Sequence, residues 1–241
     1  NAAIFEAIRD QLIDETGKPL SKEELLKSYK SKFRYYLGSY HEKRGVFFER
    51  SNNIKDLTEF VKMLKHTEET QGIVLRDEAY FKRILEEFKN RAYLIFGKVD
   101  LTKYLDFLKQ NNGKEEEIKE VKELIKTNGN IMTLSSALLL LPGNKKIRTS
   151  EYLYAGNYLI LPKLSVSAGV CFEALCISLE NNCQYCNLGG VDGSLKDPLS
   201  VFKSKYNAVV FEFAGEYDLI ISKFWYYAAK IGYPILKKLK H

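Results

Sequence analysis

The chain is poor in the residues that build disulfide scaffolds, collagen and membrane spans. Its 241 residues include four cysteines, five prolines and a single tryptophan. These counts exclude a collagen-like fibre and a disulfide-stapled small domain as descriptions of the whole chain. The longest apolar run, Ala137–Leu141, falls far short of the roughly 20 residues that span a bilayer. No secretory signal is visible at the start of the sequence.

What the chain does contain is ordinary for a globular protein. It is 45% hydrophobic and 28% charged, which excludes intrinsic disorder and is enough to bury a core. Lys and Arg number 37 against 31 Asp and Glu, so the formal net charge is +6. This mild excess permits an anionic partner such as phosphate, RNA or a membrane surface, but a generic basic surface looks the same.

The cysteine and histidine patterns predict no metal site. Cys183 and Cys186 have C-x-x-C spacing, but Cys171 and Cys176 lie five residues apart in a helical pattern and point about 140° away from each other. We therefore expect four reduced core cysteines in a cytosolic protein. The three histidines stand in charged contexts and are predicted to be surface residues: His41, His66 and His241.

The apolar pattern after Gly45 predicts the element order β-α-α-β-β-β-α-β-α-β-α, with a helical hairpin inserted at about 100–127. The seventh element, over 166–181, is predicted to be an amphipathic helix. This order indicates an α+β fold, a mixed sheet flanked by helices, as in acyltransferases of the GNAT fold. The junction 157–169 lacks the glycine cluster that holds the pyrophosphate of acyl-CoA, so that donor is not supported.

The first 44 residues contain helical sequence signals, and no strand is predicted before Gly45. Ser21 and Glu24 form a capping-box pattern after the turn Gly17–Pro19. We predict a helical lead-in over 3–44, followed by a GNAT-like domain over 45–241. Asn1 and Ala2 resemble the remnant of an expression tag.

Several short motifs then make the pattern specific. In their order and intervals they resemble the second half of the FemABX family, over about residues 30–235. The matching pieces are Lys32–Arg34 with Gly45–Val46, Gly72–Ile73 with Arg76 and Tyr80, Tyr152–Asn157, Tyr185–Gly193, Val201–Tyr206 and Glu212–Asp218.

The resemblance implies an activity. Family members have two GNAT-like domains and transfer an amino acid from aminoacyl-tRNA to the stem peptide of a peptidoglycan precursor, either lipid II or UDP-MurNAc-pentapeptide. It implies no cofactor. It also implies that residues 3–44 are what remains of a largely missing first domain. We therefore expect little transfer by this chain alone, in a cytoplasmic protein with contact to the inner leaflet of the membrane.

The resemblance also implies site residues. Lys203 matches the lysine that contacts precursor phosphate or the developing negative charge, which makes it the candidate catalytic residue. Arg76 and Tyr80 match a precursor clamp, and Tyr154 matches a further phosphate-contacting tyrosine. Tyr152 is added because side chains two apart on a strand share a face. We predict that the polar tips of Arg76, Tyr80, Tyr154 and Lys203 line one groove.

One position departs from the common family pattern. Asn187 stands where an aspartate is frequent, and an amide cannot act as a general base, so no base is assigned. Two alternatives stay open. One is a non-catalytic GNAT-like module that binds tRNA or an envelope precursor through the basic end 230–240 and the helical hairpin. The other is a GNAT enzyme with a different acyl donor.

Overall fold

Seven strands form one sheet in the computed structural model, which describes residues 4–9, 12–144, 146, 148–213 and 219–239. The motif residues 214–218 and His241 therefore lie outside the described residues. The strands are β1 (Ile4–Arg9), β2 (Val46–Ser51), β3 (Ala92–Asp100), β4 (Ile131–Leu140), β5 (Thr149–Asn157), β6 (Tyr185–Gly190) and β7 (Val209–Phe213).

Ten α-helices accompany these strands in the described residues. A π-helical turn, Tyr36–Tyr40, joins the second helix to the third. The helices are α1 (Lys22–Lys27), α2 (Ser31–Tyr35), α3 (His41–Lys43), α4 (Leu57–Gln71), α5 (Glu78–Phe88), α6 (Leu101–Gln110), α7 (Glu115–Asn128), α8 (Val166–Glu180), α9 (Pro198–Ser204) and α10 (Lys223–Leu239). The element order predicted after Gly45 is confirmed, including the hairpin α6–α7.

The sheet is mixed, as predicted. Its strand order is β2-β3-β4-β5-β6-β1-β7, and every neighbouring pair is antiparallel except β5 and β6. Because β5 and β6 run parallel, the chain between them must cross over one face of the sheet, and α8 makes that crossover. The predicted α+β class, a mixed sheet flanked by helices, is confirmed.

Each face of the sheet carries its own core. Leu94 and Leu138 point towards α4 and α5, where they meet Phe60. Their chain neighbours Ile95 and Leu139 point the other way and pack under α8. Adjacent residues of a strand face opposite sides, so the consecutive apolar residues of β3 and β4 supply both cores at once.

Helix α8 lies close to the sheet because there is a glycine on each side of the contact. Gly97 of β3 faces α8, and Gly169 of α8 faces Phe48 of β2. A Cβ on Gly97 of β3 would lie 2.4 Å from Val166 Cγ1, and one on Gly169 of α8 would lie 1.9 Å from the Phe48 ring. Neither contact is possible for a real side chain, so only glycine permits this separation. The helix is buried on almost every side, and the predicted amphipathic pattern is wrong here.

The helical stretch Pro162–Glu180 is long and apolar enough, by length and composition alone, to cross a membrane, although no uninterrupted apolar run in the sequence indicates it. In the part of the chain that the structure describes, 72% of its most apolar window is buried inside the protein. It serves as the central core helix.

The structure of the N-terminal segment differs in part from the predicted helical lead-in. Residues 4–9 are not helical: they form β1, which lies between β6 and β7. The short strand is invisible locally because its partners are about 180 to 200 residues away. Helices do follow, and the Ser21–Glu24 capping box is present. Leu25 and Tyr29 join the core beside α8, with the Tyr29 ring 6.1 Å from that of Phe172, so this segment covers the outer side of α8.

The hairpin α6–α7 contributes side chains to the core. Tyr104, Leu108 and Val121 are buried in a third cluster with Val99 and Leu134 at one end of the sheet. Its charged side chains are exposed except that of Glu117, which is half-buried and accepts a hydrogen bond from the Tyr104 hydroxyl at 2.7 Å. The hairpin is therefore amphipathic and belongs to the domain.

Candidate active site

A cleft opens where β5 and β6 separate. The two strands pair over only three positions, from Thr149 opposite Tyr185 to Glu151 opposite Asn187. Beyond Glu151 the strands diverge, and the space between them forms a cavity of about 720 Å³. A gap between parallel strands exposes backbone and side chains from both edges to the same space. This makes the cleft the first candidate for a substrate site.

Lys203 lies in the wall of this cleft. It is carried by α9, whose start is fixed by the Asp197 carboxylate, which accepts hydrogen bonds from the backbone N–H groups of Leu199 and Ser200 at 2.9 and 3.1 Å. The Lys203 side chain is buried, and its Nζ donates to the carbonyl oxygen of Gly190 at 2.6 Å. A cation is therefore held next to the point where the strands part.

The end of β6 is shaped by a local side-chain hydrogen bond. The N–H of Gly189 donates to Oδ1 of Asn187 at 2.8 Å, and Gly189 has a φ of +81°. This left-handed backbone favours glycine. A Cβ at Gly189 would lie 3.6 Å from Lys203 Nζ. The bend thus presents the Gly190 carbonyl to the lysine and keeps space around the ammonium group.

Arg76, Tyr80 and Tyr154 form a second group. The Arg76 guanidinium carbon lies 5.6 Å from the centre of the Tyr80 ring, and the Tyr80 ring lies 6.2 Å from that of Tyr154. Tyr80 is positioned by Asp77, whose carboxylate caps α5 by accepting from the Tyr80 N–H at 2.9 Å. Desolvation raises the pKa of Tyr154, its interaction with Tyr80 adds to the rise, and the nearby Arg76 charge opposes it.

Tyr152 and Tyr154 do not share a face of the sheet, and this sequence prediction is wrong. Tyr154 lies opposite Leu138, whereas Tyr152 lies opposite the next residue, Leu139, so Leu153 is an extra residue in β5. Such a β-bulge breaks the period of two. Tyr154 accordingly packs with the α4–α5 core, and Tyr152 packs on the α8 side, where burial raises its pKa well above the usual value.

The bulge nevertheless leaves both tyrosines at the cleft, because the cleft opens through the plane of the sheet. Tyr152, Tyr154 and Lys203 all line the cavity. Arg76 and Tyr80 do not line the cavity, but both interact with Tyr154, which does. Ile73 and Leu75, which shortly precede Arg76 in the chain, also line it. The roles of all five residues stay predictions.

Sequence reasoning missed several residues of the cleft. Their positions depend on the packing of α4 and the connection to α9 against the sheet rather than on a motif, although Asp197-Pro198 is a readable helix-start signal. The polar lining residues to which the sequence assigned no role are Thr67, Gln71, Ser135, Asn157, Ser167 and Asp197.

His41 also corrects a prediction, since it is not a surface residue. It is buried, its ring nitrogen Nε2 lies 2.9 Å from the carbonyl oxygen of Leu164, and its ring packs on Phe48. A carbonyl only accepts, so Nε2 carries the proton. Burial lowers the pKa of His41 below its usual value, and the bond to Leu164 opposes this shift.

All four cysteines are buried and free, as expected for core residues. Burial raises the pKa of Cys186 to about 12, which keeps its thiol protonated at neutral pH. Among the described residues, no group of three or more His, Cys, Asp or Glu side chains is arranged to hold a metal ion.

A mixed sheet that opens between two parallel strands, with a helix crossing one face, places the chain in the class of GNAT-like folds. The crystal structure of FemX shares this architecture, with a TM-score of 0.65 and 20% identity over 86% of this chain and 59% of FemX. The sequence profile of the FemAB family matches residues 7–116 and 108–233. The chain belongs to the FemAB family.

Curated relatives agree with this assignment. The chain is 27% identical over 266 residues to a lipid II:glycine glycyltransferase of Staphylococcus epidermidis strain ATCC 35984, covering 92% of this chain and 62% of the relative. It is 25% identical over 265 residues to the Staphylococcus haemolyticus protein of the same name, covering 91% and 61%. The chain thus spans about three fifths of the length of these relatives.

Proposed function

We propose that the chain is part of an aminoacyltransferase that moves an amino acid from aminoacyl-tRNA to the stem peptide of a peptidoglycan precursor. The acceptor is lipid II or UDP-MurNAc-pentapeptide. The observation that carries the proposal is the cleft between β5 and β6, with a buried lysine in its wall and an arginine–tyrosine group beside it. Family membership and the names of the relatives support it.

In this reaction an amine of the stem peptide attacks the ester carbonyl of the aminoacyl-tRNA. A C–N bond forms, the ester C–O bond breaks, and the proton lost by the amine ends on the ribose oxygen that leaves. Negative charge develops on the carbonyl oxygen between these steps. The Lys203 ammonium stabilises that charge, and it acts strongly because its side chain is buried.

Proton transfer is not assigned to Asn187. Its amide oxygen accepts the hydrogen bond from Gly189, and an amide does not take up a proton at neutral pH. Asn187 instead maintains the bend that presents the Gly190 carbonyl to Lys203.

Arg76, Tyr80 and Tyr154 bind the precursor in this proposal. A guanidinium group forms paired, charge-assisted hydrogen bonds with phosphate, and the two phenols add donors beside it. Arg76 is exposed two residues before α5 begins, so a large anionic substrate has access to it. The protein then acts in the cytoplasm, at the membrane surface where a lipid-linked precursor is presented.

Binding tests the clamp directly. UDP-MurNAc-pentapeptide is titrated into the 241-residue chain by calorimetry, and Arg76→Ala is expected to raise Kd at least about tenfold through loss of a charge-assisted contact. Arg83→Ala is the matched control, because Arg83 is an exposed arginine on α5. If both variants weakened precursor binding equally, Arg76 would contribute only general positive charge. That result would contradict the clamp.

Transfer tests Lys203. The assay follows the labelled amino acid from charged tRNA into the precursor, in the longest form of the protein that turns over, and we expect little transfer by the 241-residue chain alone. Lys203→Ala is expected to lower kcat about 10²-fold with a smaller change in KM, as for loss of an oxyanion donor. Precursor binding without transfer in any form would favour the non-catalytic module.

A further inference from the structure

One acidic side chain lies among the described residues that line the cleft between β5 and β6, and it belongs to Asp197. Lys203 is the one basic residue in the same part of the lining. Both are carried by α9, with Asp197 at the N-cap and Lys203 in the last turn. The cleft therefore presents one negative and one positive group to a substrate.

Asp197 is ionised and can accept a further hydrogen bond. Its oxygen Oδ1 accepts from the N–H groups of Leu199 and Ser200, and Oδ2 accepts from the Ser200 hydroxyl. The hydrogen bonds from Ser200 hold the pKa of Asp197 below its usual value, so the carboxylate is charged at neutral pH. No Lys or Arg of the described residues forms an ion pair with it. A carboxylate has about four acceptor positions, so Oδ2 keeps one for a ligand.

The spacing of the two charges along α9 limits which ligand can bridge them. Asp197 and Lys203 are six residues apart, which corresponds to about 9 Å along the helix axis. Helical side chains lean towards the N-terminus, so the lysine reaches back towards Asp197. With a hydrogen bond of about 3 Å at each end, a bridging ligand must carry its cationic group within about 3 Å of a carbonyl or anionic oxygen. An α-amino ester has this arrangement, because its amine and its carbonyl oxygen are attached to adjacent carbon atoms.

We propose that Asp197 binds the α-ammonium group of the aminoacyl ester while Lys203 faces the ester carbonyl oxygen. The inference rests on the proposed function and adds a substrate contact to it. Asp197 is then a substrate-binding residue, and because it also caps α9, the two contacts keep a fixed separation.

The contact determines which of two amines reacts. An α-amino group has an ordinary pKa of about 7.7–8.0, so near neutral pH both the amine and the ammonium form are present. A carboxylate beside the group favours the ammonium form, which has no lone pair with which to attack an ester. The amine of the acceptor does not contact Asp197 and remains available as the nucleophile.

Donors with and without the α-amine test the contact. The transfer assay is run with glycyl-, alanyl- and seryl-tRNA and with glycolyl-, lactyl- and glyceryl-tRNA, in which a hydroxyl group replaces the amine. Each pair has the same ester and nearly the same size. For the pair that the parent protein uses, kcat/KM should be about 10–100-fold higher with the amino donor, as expected for a hydrogen bond between charged groups.

Variants separate the charge of Asp197 from its role as a cap. Asn and Ser cap helices about as well as Asp, so Asp197→Asn and Asp197→Ser should leave α9 in place. Both should lower kcat/KM about 10–100-fold with the amino donor and less than about threefold with the hydroxy donor, which removes the preference. Asp100→Asn is the matched control, since Asp100 is a half-buried N-cap on α6 that does not line the cleft. It should leave the preference unchanged.

Three results would overturn the inference. If the parent protein showed no preference, or if the preference survived in both Asp197 variants, Asp197 would not bind the ammonium group. An equal loss with both donors would assign Asp197 to the stability of α9 or to the acceptor. Transfer from none of the six donors would contradict the proposed function itself, and this inference with it.

Discussion

The two ends of the sheet differ in how much of their surface is covered. From β2 to β5 the sheet has helices on both faces, and core residues such as Leu94 and Ile95 have no exposed surface. In β7 all five residues are exposed, and Val209, Phe211 and Phe213 each keep more than 40% of their surface in solvent. The cleft with Lys203 lies between these two regions, where β5 leaves β6.

This contrast separates stability from recognition. Buried apolar area supplies most of the folding free energy, and it is concentrated at the covered end. Apolar area that remains exposed contributes little to folding and is available for binding. The same chemical substitution should therefore have different effects at the two ends, and paired variants test this directly.

The largest expected difference comes from truncating one phenylalanine at each end. Phe60 is fully buried between α4 and the sheet, so Phe60→Ala should lower the free energy of unfolding by about 3–5 kcal/mol. Phe211 on β7 is 43% exposed, and Phe211→Ala should cost less than about 1 kcal/mol. Urea denaturation followed by circular dichroism measures both. Similar losses would show that β7 is covered in solution.

Replacing one glycine by alanine in α8 and one in α10 should change the stability of the protein in opposite directions. Gly169→Ala on α8 drives a methyl group into the Phe48 ring and should cost about 1–3 kcal/mol. Gly232→Ala on α10 meets nothing within 4 Å and should stabilise by about 0.5–1 kcal/mol, because alanine favours helix. In thermal unfolding, the Tm of Gly169→Ala should lie below that of the parent protein, and the Tm of Gly232→Ala should lie above it. A destabilising Gly232→Ala would mean that α10 packs on something.

At the boundary, Gly189 should couple a small loss of stability to a larger loss of function. Gly189→Ala forces alanine to a φ of +81° and should cost about 1 kcal/mol. It also displaces the Gly190 carbonyl that accepts from Lys203. On the proposed function, the transfer rate of the longest form of the protein that turns over should therefore fall further than stability does. Gly17, with the same φ of +81° and open space around it, is the matched control. If Gly17→Ala impaired transfer equally, strain rather than the lysine would be responsible.

The smallest effect concerns pH at the covered end. The folded-state pKa of His41 lies below the ordinary value of 6.5, so the folded protein resists a proton that the unfolded chain accepts. The stability associated with neutral His41 is present above pH 6.5 and declines as the pH falls through that value. His41→Gln should weaken this decline in urea midpoints measured from pH 7.5 to 5. An unchanged slope in the variant would mean that His41 titrates normally.

The sequence predicts the local elements well and the long-range ones poorly. Apolar periodicity and cap residues such as Asp77 suffice for the order after Gly45, since these signals lie within one element. The bulge at Leu153, the burial of His41 and the pairing of β1 all depend on partners elsewhere in the chain. His41 meets Leu164 across 123 residues. Motif matching selected Lys203 as a candidate, and the structure places it in the wall of a cleft. The sequence did not indicate that Tyr152 and Tyr154 reach this cleft from opposite faces of the sheet.

The position of β1 has a consequence for synthesis on the ribosome. Strands β2 to β5 and their helices are neighbours in the chain and can assemble as they emerge. Strand β1 precedes the other six strands in the chain, but its partners β6 and β7 begin at residues 185 and 209. At ~5–20 residues per second, it waits about 10–40 s for them. Strand β1 therefore cannot join the sheet until β6 has been made, and until then it presents unpaired edges that a chaperone or a neighbouring nascent chain can bind.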